Sequence, residues 1–268
     1  MLSATPIPNG WEDSINYFKM FGLTKNKTSF IRNNAIVSLD MGYMEILGWK
    51  NEIKLKNMWK SISRRLSKDE ATDLPPLVFE YVHFQASTTY KTIKRDRIYN
   101  NTLYDNAMKL RHGLRLNANL KSKIEYIKDF VESTNDNIVI FYNYDEELEL
   151  LQQNISKKTY LCNGKVKDYP KKSEWDSIKN TVTLANYKSG SEAVEFTYAN
   201  IIVYFSPTES YTEFYQSYGR CYRNGQTKKV TAYNFVTDNT IEADIYRALD
   251  SKQDFNYNLW EKEKLKNG

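Results

Sequence analysis

Gln216, Arg220 and Arg223 are the side chains in this sequence best placed to act on an anion. They fall at i, i+4 and i+7, a spacing that brings all three to one face of a helix. Ser210 followed three residues later by Glu213 marks the start of that helix as a capping box. Gly225 stands where a helix C-cap is expected. Two guanidiniums held side by side make a planar, permanently charged donor array that matches phosphate oxygens. The same spacing also describes an ordinary solvated basic face, and spacing does not choose between the two. Phe214, Tyr218 and Cys221 fall on another face and are expected to pack inward, leaving the arginines toward a cleft and solvent.

Such a helix needs a rigid scaffold. Ile138–Phe141 is a short continuous apolar run, the pattern of a parallel strand buried on both faces. Residues 160–162, 181–184, 201–205 and 230–236 read as further strands, with helices over 145–153, 211–223 and 240–250 between and after them. The β-branched and aromatic stretch 77–84 adds another strand. This alternation predicts an α/β fold, a parallel sheet with helices on both faces. Residues 86–134 read as helices. Their basic side chains Lys109, Arg111, Arg115, Lys121 and Lys123 are taken as a solvated face in preference to a nucleic-acid track. Ile124, Ile127 and Val131, at helical spacing, are expected to cover the sheet. Residues 11–60 read as helical, with Trp11, Tyr17, Phe18, Phe21, Trp49 and Trp59 as core. Pro75 and Pro76 impose an extended connector.

Composition narrows the classes. The 268 residues suffice for one large or two small domains with a sizeable core. A net charge of +5 is compatible with nucleic acid without being diagnostic of it. Cys162 and Cys221 make neither a disulfide framework nor a metal cluster, which fits a reduced compartment. His83 and His112 read as structural. There is no apolar run of membrane-spanning length and no signal-peptide pattern, so no membrane partner and a cytoplasmic location are expected.

The string Gln216-Ser-Tyr-Gly219-Arg220-Cys-Tyr-Arg223-Asn-Gly-Gln226 resembles motif VI of the superfamily-two helicases, in its Swi/Snf form. Ser3-Ala-Thr5-Pro, extended as Thr5-Pro-Ile-Pro-Asn9, resembles motif III. Arg64-Arg65, Lys68-Asp and Leu74-Pro-Pro resemble the passage between the two lobes of Swi/Snf ATPases. Residues 140–144 are similar to motif IV, and the turn around Gly164-Lys165 to the loop that follows it. Residues 187–196 occupy the place of motif V but depart from it: Ala193 replaces a glycine and Glu195 an asparagine, which puts the ribose contact in doubt.

The resemblance implies a RecA-like second lobe over residues 77–250, the end of a first lobe with its connector over 1–76, and a tail over 251–268. The N-terminal segment would be a helical remnant of the first lobe. Arg220 and Arg223 become arginine fingers for ATP hydrolysis, with Gln216, Gly219, Gln226, Ser3 and Thr5 coupling the nucleotide state. Tyr142, Asn143, Gly164, Lys165, Lys188, Ser189 and Gly190 become contacts to a nucleic-acid backbone. The implied partners are DNA, bound without sequence preference, and the missing first lobe. The implied cofactors are ATP and Mg, neither bound tightly by this chain alone. No Gly-x-x-x-x-Gly-Lys-Ser/Thr or Asp-Glu box occurs in the sequence. Both are therefore expected upstream, and the isolated chain is expected to hydrolyse nothing. A free-standing DNA- or protein-binding module is the competing function. The Tyr, Lys and Asn content suggests an AT-rich genome, and bacteriophage is one guess at its source.

Overall fold

The computed structural model describes residues 7, 10–40, 43–64, 73–188, 194–257 and 260. The chain divides into two compact units, Met1–Ala71 and Thr72–Gly268.

In the first unit α1 (Ile15–Met20) and α2 (Lys27–Asn34) lead into a hairpin of β1 (Ala35–Asp40) and β2 (Tyr43–Trp49), followed by α3 (Glu52–Ile62). The hairpin corrects the all-helical expectation for residues 11–60. Helix α2 stops because Ala35 turns extended, with ψ 149°. The Asn34 side chain donates back to the Phe30 carbonyl at 2.9 Å. β-Branched Ile36, Val37 and Ile46 then suit a strand better than a helix. Most of the aromatic residues do form core: Phe18 and Phe30 are buried, and Trp11, Trp49 and Trp59 pack on them, but Phe21 is 53% exposed and does not belong to it.

The second unit is a seven-stranded sheet in the order β3-β11-β10-β6-β9-β7-β8. Its strands are β3 (Leu77–Phe84), β6 (Ile138–Tyr142), β7 (Lys158–Cys162), β8 (Lys167–Asp168), β9 (Thr181–Asn186), β10 (Ile201–Tyr204) and β11 (Val230–Thr237). All neighbours are parallel except β7 and β8. Period-two alternation sends each strand's side chains to two cores. Val139, Phe141, Ile202 and Tyr204 join one core, and Ile138, Ile140, Ile201 and Val203 the other. The first core is roofed by α4 (Thr88–Asp96), α5 (Ala107–Leu116), α8 (Tyr211–Cys221) and α9 (Ile241–Asp250). The second is roofed by α6 (Leu120–Glu132) and α7 (Asp145–Asn154). Ile124, Ile127 and Val131 lie on the buried face of α6, as their spacing predicts.

The helical expectation for residues 86–134 is interrupted by a small hairpin, β4 (Ile98–Tyr99) with β5 (Thr102–Leu103). Arg97, Asn100 and Asn101 take positive φ there, a conformation that asparagine tolerates best among non-glycine residues. Beyond α9, Tyr257 and Trp260 are buried in the first core. The charged end of the chain, 261–268, lies outside the described residues.

Two of the basic side chains expected on a solvated face are buried instead. Lys123 is sealed against Glu242, with Nζ at 2.6 and 2.7 Å from the carboxylate oxygens, and also donates to the Phe205 carbonyl at 3.1 Å. Arg115 bonds Glu209 at 3.1 Å and the Pro207 carbonyl. The spacing is that of a surface face, but strand β10 ends beneath both side chains, and its loop carbonyls need donors. His83, expected inside a strand, is exposed on the edge strand β3 and pairs with Asp238 at 2.7 Å.

Candidate functional site

The arginine motif is held by a rail of backbone just before strand β10. The Phe196 N–H donates to the Arg220 carbonyl at 2.9 Å. The Gln226 amide nitrogen donates to the Thr197, Ala199 and Cys221 carbonyls at 3.1, 2.9 and 3.3 Å. Its oxygen accepts from Lys228 N–H at 3.0 Å. Glu195 pairs with Arg223, Nε to Oε1 at 3.3 Å. Residues 196–199 thus grip 220–226 at both ends. Gln226 is a largely buried structural clamp, and the three carbonyls it satisfies account for a polar residue there.

The three motif side chains do not share a face. Helix α8 ends at Cys221. Gly225, at φ 101°, closes the following turn, in which Gln226 N–H bonds the Arg223 carbonyl at 3.0 Å. Arg223 therefore projects from a turn, and its side chain is 53% exposed. Gln216 is exposed on the helix and Gly219 half-buried. Arg220 is only 7% exposed, which corrects the expectation that it looks into solvent. Its guanidinium lies 5.9 Å from the centre of the Phe141 ring, and Nη2 reaches the Tyr187 carbonyl at 3.5 Å. Among the described residues Nη1 has no hydrogen-bond partner. Burial pulls its pKa down from the ordinary arginine value, yet arginine does not deprotonate in proteins, so the site carries an under-compensated charge. Phe214 and Cys221 do pack inward, while Tyr218 is only partly buried. Ser210 caps α8 by accepting from Glu213 N–H at 3.4 Å, and the Glu213 carboxylate turns to Thr208 rather than closing the box.

A second cluster lies at the carboxyl ends of β6, β9 and β10, where successive strands step across β6. Open parallel sheets bind ligands at such switch points. A cleft of about 570 Å³ opens there, with Arg111, Arg115, Asn143, Lys188 and Glu209 among its walls. Much of its donor capacity is used internally. Asn143 Nδ2 bonds the Ser206 and Pro207 carbonyls at 3.2 and 3.1 Å and the Ser206 hydroxyl at 2.8 Å. Both Arg111 and Arg115 pair with Glu209. Glu147, 2% exposed, accepts from Asn143 N–H, Tyr144 N–H and the Ser206 hydroxyl at 2.9, 3.2 and 2.9 Å. Burial pushes its pKa up, against those hydrogen bonds and the nearby Lys123.

The nucleic-acid candidates thus separate. Tyr142 is 1% exposed inside the second core and cannot contact a strand; it closes a strand buried on both faces. Asn143 braces the β10 loop. Lys188 is exposed on the cleft wall. Gly164 and Lys165 lie on a separate exposed turn after β7, where Asn163 Oδ1 accepts from Lys165 N–H at 2.9 Å. Ser3, Thr5, Ser189 and Gly190 lie outside the described residues. Sequence reasoning missed Tyr187, Glu147 and the partner role of Glu195, and took Arg115 for a solvated position. Only Glu195 carried a signal, as a carboxylate in place of an expected asparagine.

The raised pKa of Glu147 gives a signed expectation. The group binds a proton more readily folded than unfolded, so its stabilising contribution is full below its unfolded value and is lost as pH rises through the folded one. Glu147→Gln keeps an acceptor for the three donors and removes the titration. Wild-type stability, measured relative to the variant by denaturant melts between pH 7 and about 4, near the ordinary glutamate value, should therefore rise on acidification. A difference that is flat or falls toward low pH contradicts this.

Residues 122–225 match the helicase conserved C-terminal domain. The chain is 24% identical over 239 residues to the ATP-dependent helicase fft1 of Schizosaccharomyces pombe, covering 85% of this chain and 24% of that protein. It is 30% identical over 155 residues to the protein CHROMATIN REMODELING 25 of Arabidopsis thaliana, covering 52% of this chain and 15% of that one. The crystal structure of the C-terminal part of the Fun30 ATPase domain superposes with a TM-score of 0.52 at 14% identity, covering 70% of this chain and 96% of that chain, which supports the fold. The second unit has the RecA-like fold of a helicase C-terminal lobe. Its sequence is similar to that of superfamily-two proteins of the Swi/Snf type. The chain spans about a quarter or less of the length of these two curated relatives. No described helix is long and apolar enough to cross a membrane.

Proposed function

We propose that this lobe is the arginine-donating half of an ATP-dependent DNA translocase. The observation that carries the reading is Arg220, a guanidinium 7% exposed with Nη1 unpaired among the described residues, next to an exposed Arg223 on the same clamped turn. A buried cation left without a full set of partners costs stability, and such strain is expected where an anionic ligand completes the site. ATP phosphates held by a first lobe would supply that anion. Arg223, on its turn, would reach the transferring phosphoryl group, and Arg220 would meet a phosphate oxygen through Nη1, unpaired among the described residues. Charge spreads over the phosphoryl oxygens in the transition state, so donors placed there raise turnover more than affinity. Mg would neutralise the phosphates from the first lobe. No group of three His, Cys, Asp or Glu among the described residues could hold a metal.

DNA would be gripped through its backbone by Lys188 and the turn at Gly164 and Lys165. Because both arginines of the cleft are already engaged by the one Glu209 carboxylate, the lobe alone should bind DNA weakly. Binding by the purified chain should be indifferent to sequence, with a log–log salt slope of about −0.7 to −0.9 per phosphate contacted. Lys188→Ala should weaken it and lower the slope by about one contact while melting stays put. Salt-independent binding, or no effect of Lys188→Ala, would remove Lys188 from the track. ATP turnover by this chain alone is expected to be nil. DNA-stimulated hydrolysis by it would overturn the division of labour between lobes.

A further inference from the structure

We propose that Glu195 is a gate on Arg223, holding that arginine in the nucleotide-free lobe and yielding it to phosphate when ATP binds. The inference rests on the arginine-donor reading and names a residue that regulates it. Glu195 is 30% exposed and Arg223 is 53% exposed, with Nε of the arginine 3.3 Å from Oε1. The backbone on both sides is fixed: Phe196 N–H is bonded to the Arg220 carbonyl at 2.9 Å, and Gln226 N–H to the Arg223 carbonyl at 3.0 Å. The carboxylate and the guanidinium therefore face each other across a rigid frame, and only the side chains have to move for Arg223 to change partners. The contact runs through Nε and the arginine side chain is 53% exposed, so the guanidinium can meet an incoming phosphate before Glu195 is released. A doubly charged phosphate oxygen array outcompetes one carboxylate for the planar fork. Asparagine at position 195, the type the motif usually has, would offer a neutral partner and no competition.

A half-exposed ion pair is a weak competitor. Glu195→Gln in the complete two-lobed protein should lower KM for ATP by about two- to five-fold, with kcat in saturating DNA and ATP unchanged. The dissociation constant of a non-hydrolysable ATP analogue should fall by the same factor. Melting of the lobe should not move, which separates gating from a structural role. In an Arg223→Ala background Glu195→Gln should leave analogue binding unchanged, because the gated group is gone. The gate is overturned if Arg223→Ala alone abolishes turnover while Glu195→Gln changes neither KM nor analogue affinity. Should Arg223→Ala turn over normally, the arginine-donor reading itself fails, and the gate with it. Tighter binding from Glu195→Gln that persists without Arg223 would show that the carboxylate repels nucleotide directly, and would also overturn the gate.

Discussion

Arg220→Met in the complete protein is expected to abolish DNA-stimulated ATP turnover while leaving the lobe as stable as before, or more so. The buried guanidinium is under-bonded: Nη1 has no partner among the described residues and Nη2 has one long contact, at 3.5 Å. Methionine fills the space of the stem against the Phe141 ring and carries no charge to desolvate. Replacing poorly compensated buried charge by an apolar side chain of similar size is neutral or stabilising by about 1–4 kcal/mol. Turnover should fall by ~10³–10⁵, the contribution of arginine fingers in other nucleotide hydrolases. A side chain present only for packing predicts a stability loss and residual activity that tracks folding. A merely solvated face predicts no change in either. Thermal melts of the lobe and turnover of the complete protein, on the same variant, separate the three.

The second large effect concerns folding alone. Lys123→Met should destabilise the second unit by about 3–5 kcal/mol, because it strands the Glu242 carboxylate, 1% exposed, without its cation. Among its described donors the Glu242 carboxylate would retain the Thr237 N–H at 3.0 Å. The Phe205 carbonyl would also lose its donor. Pairing the change with Glu242→Gln, which removes the stranded charge, should recover much of the loss. Denaturant melts of the single and double variants test this. Equal destabilisation of the two, or a loss under ~1 kcal/mol for Lys123→Met, would mean that water reaches the pair.

Both effects turn on residues whose burial the sequence does not announce. The sheet was legible because continuous apolar runs such as Ile138–Tyr142 are buried on both faces, and a run of that kind has few alternatives. What failed was the step from spacing to exposure. Lys123 and Arg115 sit at positions that look solvated on their own helices, yet unpaired carbonyls of the β10 loop lie beneath them. Arg223 fell at i+7 from Gln216, but α8 stops at Cys221 and the turn at Gly225 carries the arginine off the helix. Tyr142 was assigned to nucleic acid by its place in a motif, whereas strand alternation points it into the second core. The hairpin Ala35–Trp49 was missed because its aromatic and aliphatic residues satisfy both periods over so short a stretch.

The most direct measurement is the affinity of the complete protein for a transition-state analogue, ADP with aluminium fluoride, compared with its affinity for ADP alone, in wild type and in Arg223→Lys. Lysine keeps the charge and loses the planar fork. If Arg223 acts where charge develops, Arg223→Lys should weaken analogue binding by ~10²–10³, the scale of losing one such donor, while ADP binding changes little. Equal, small changes for both ligands would contradict the account.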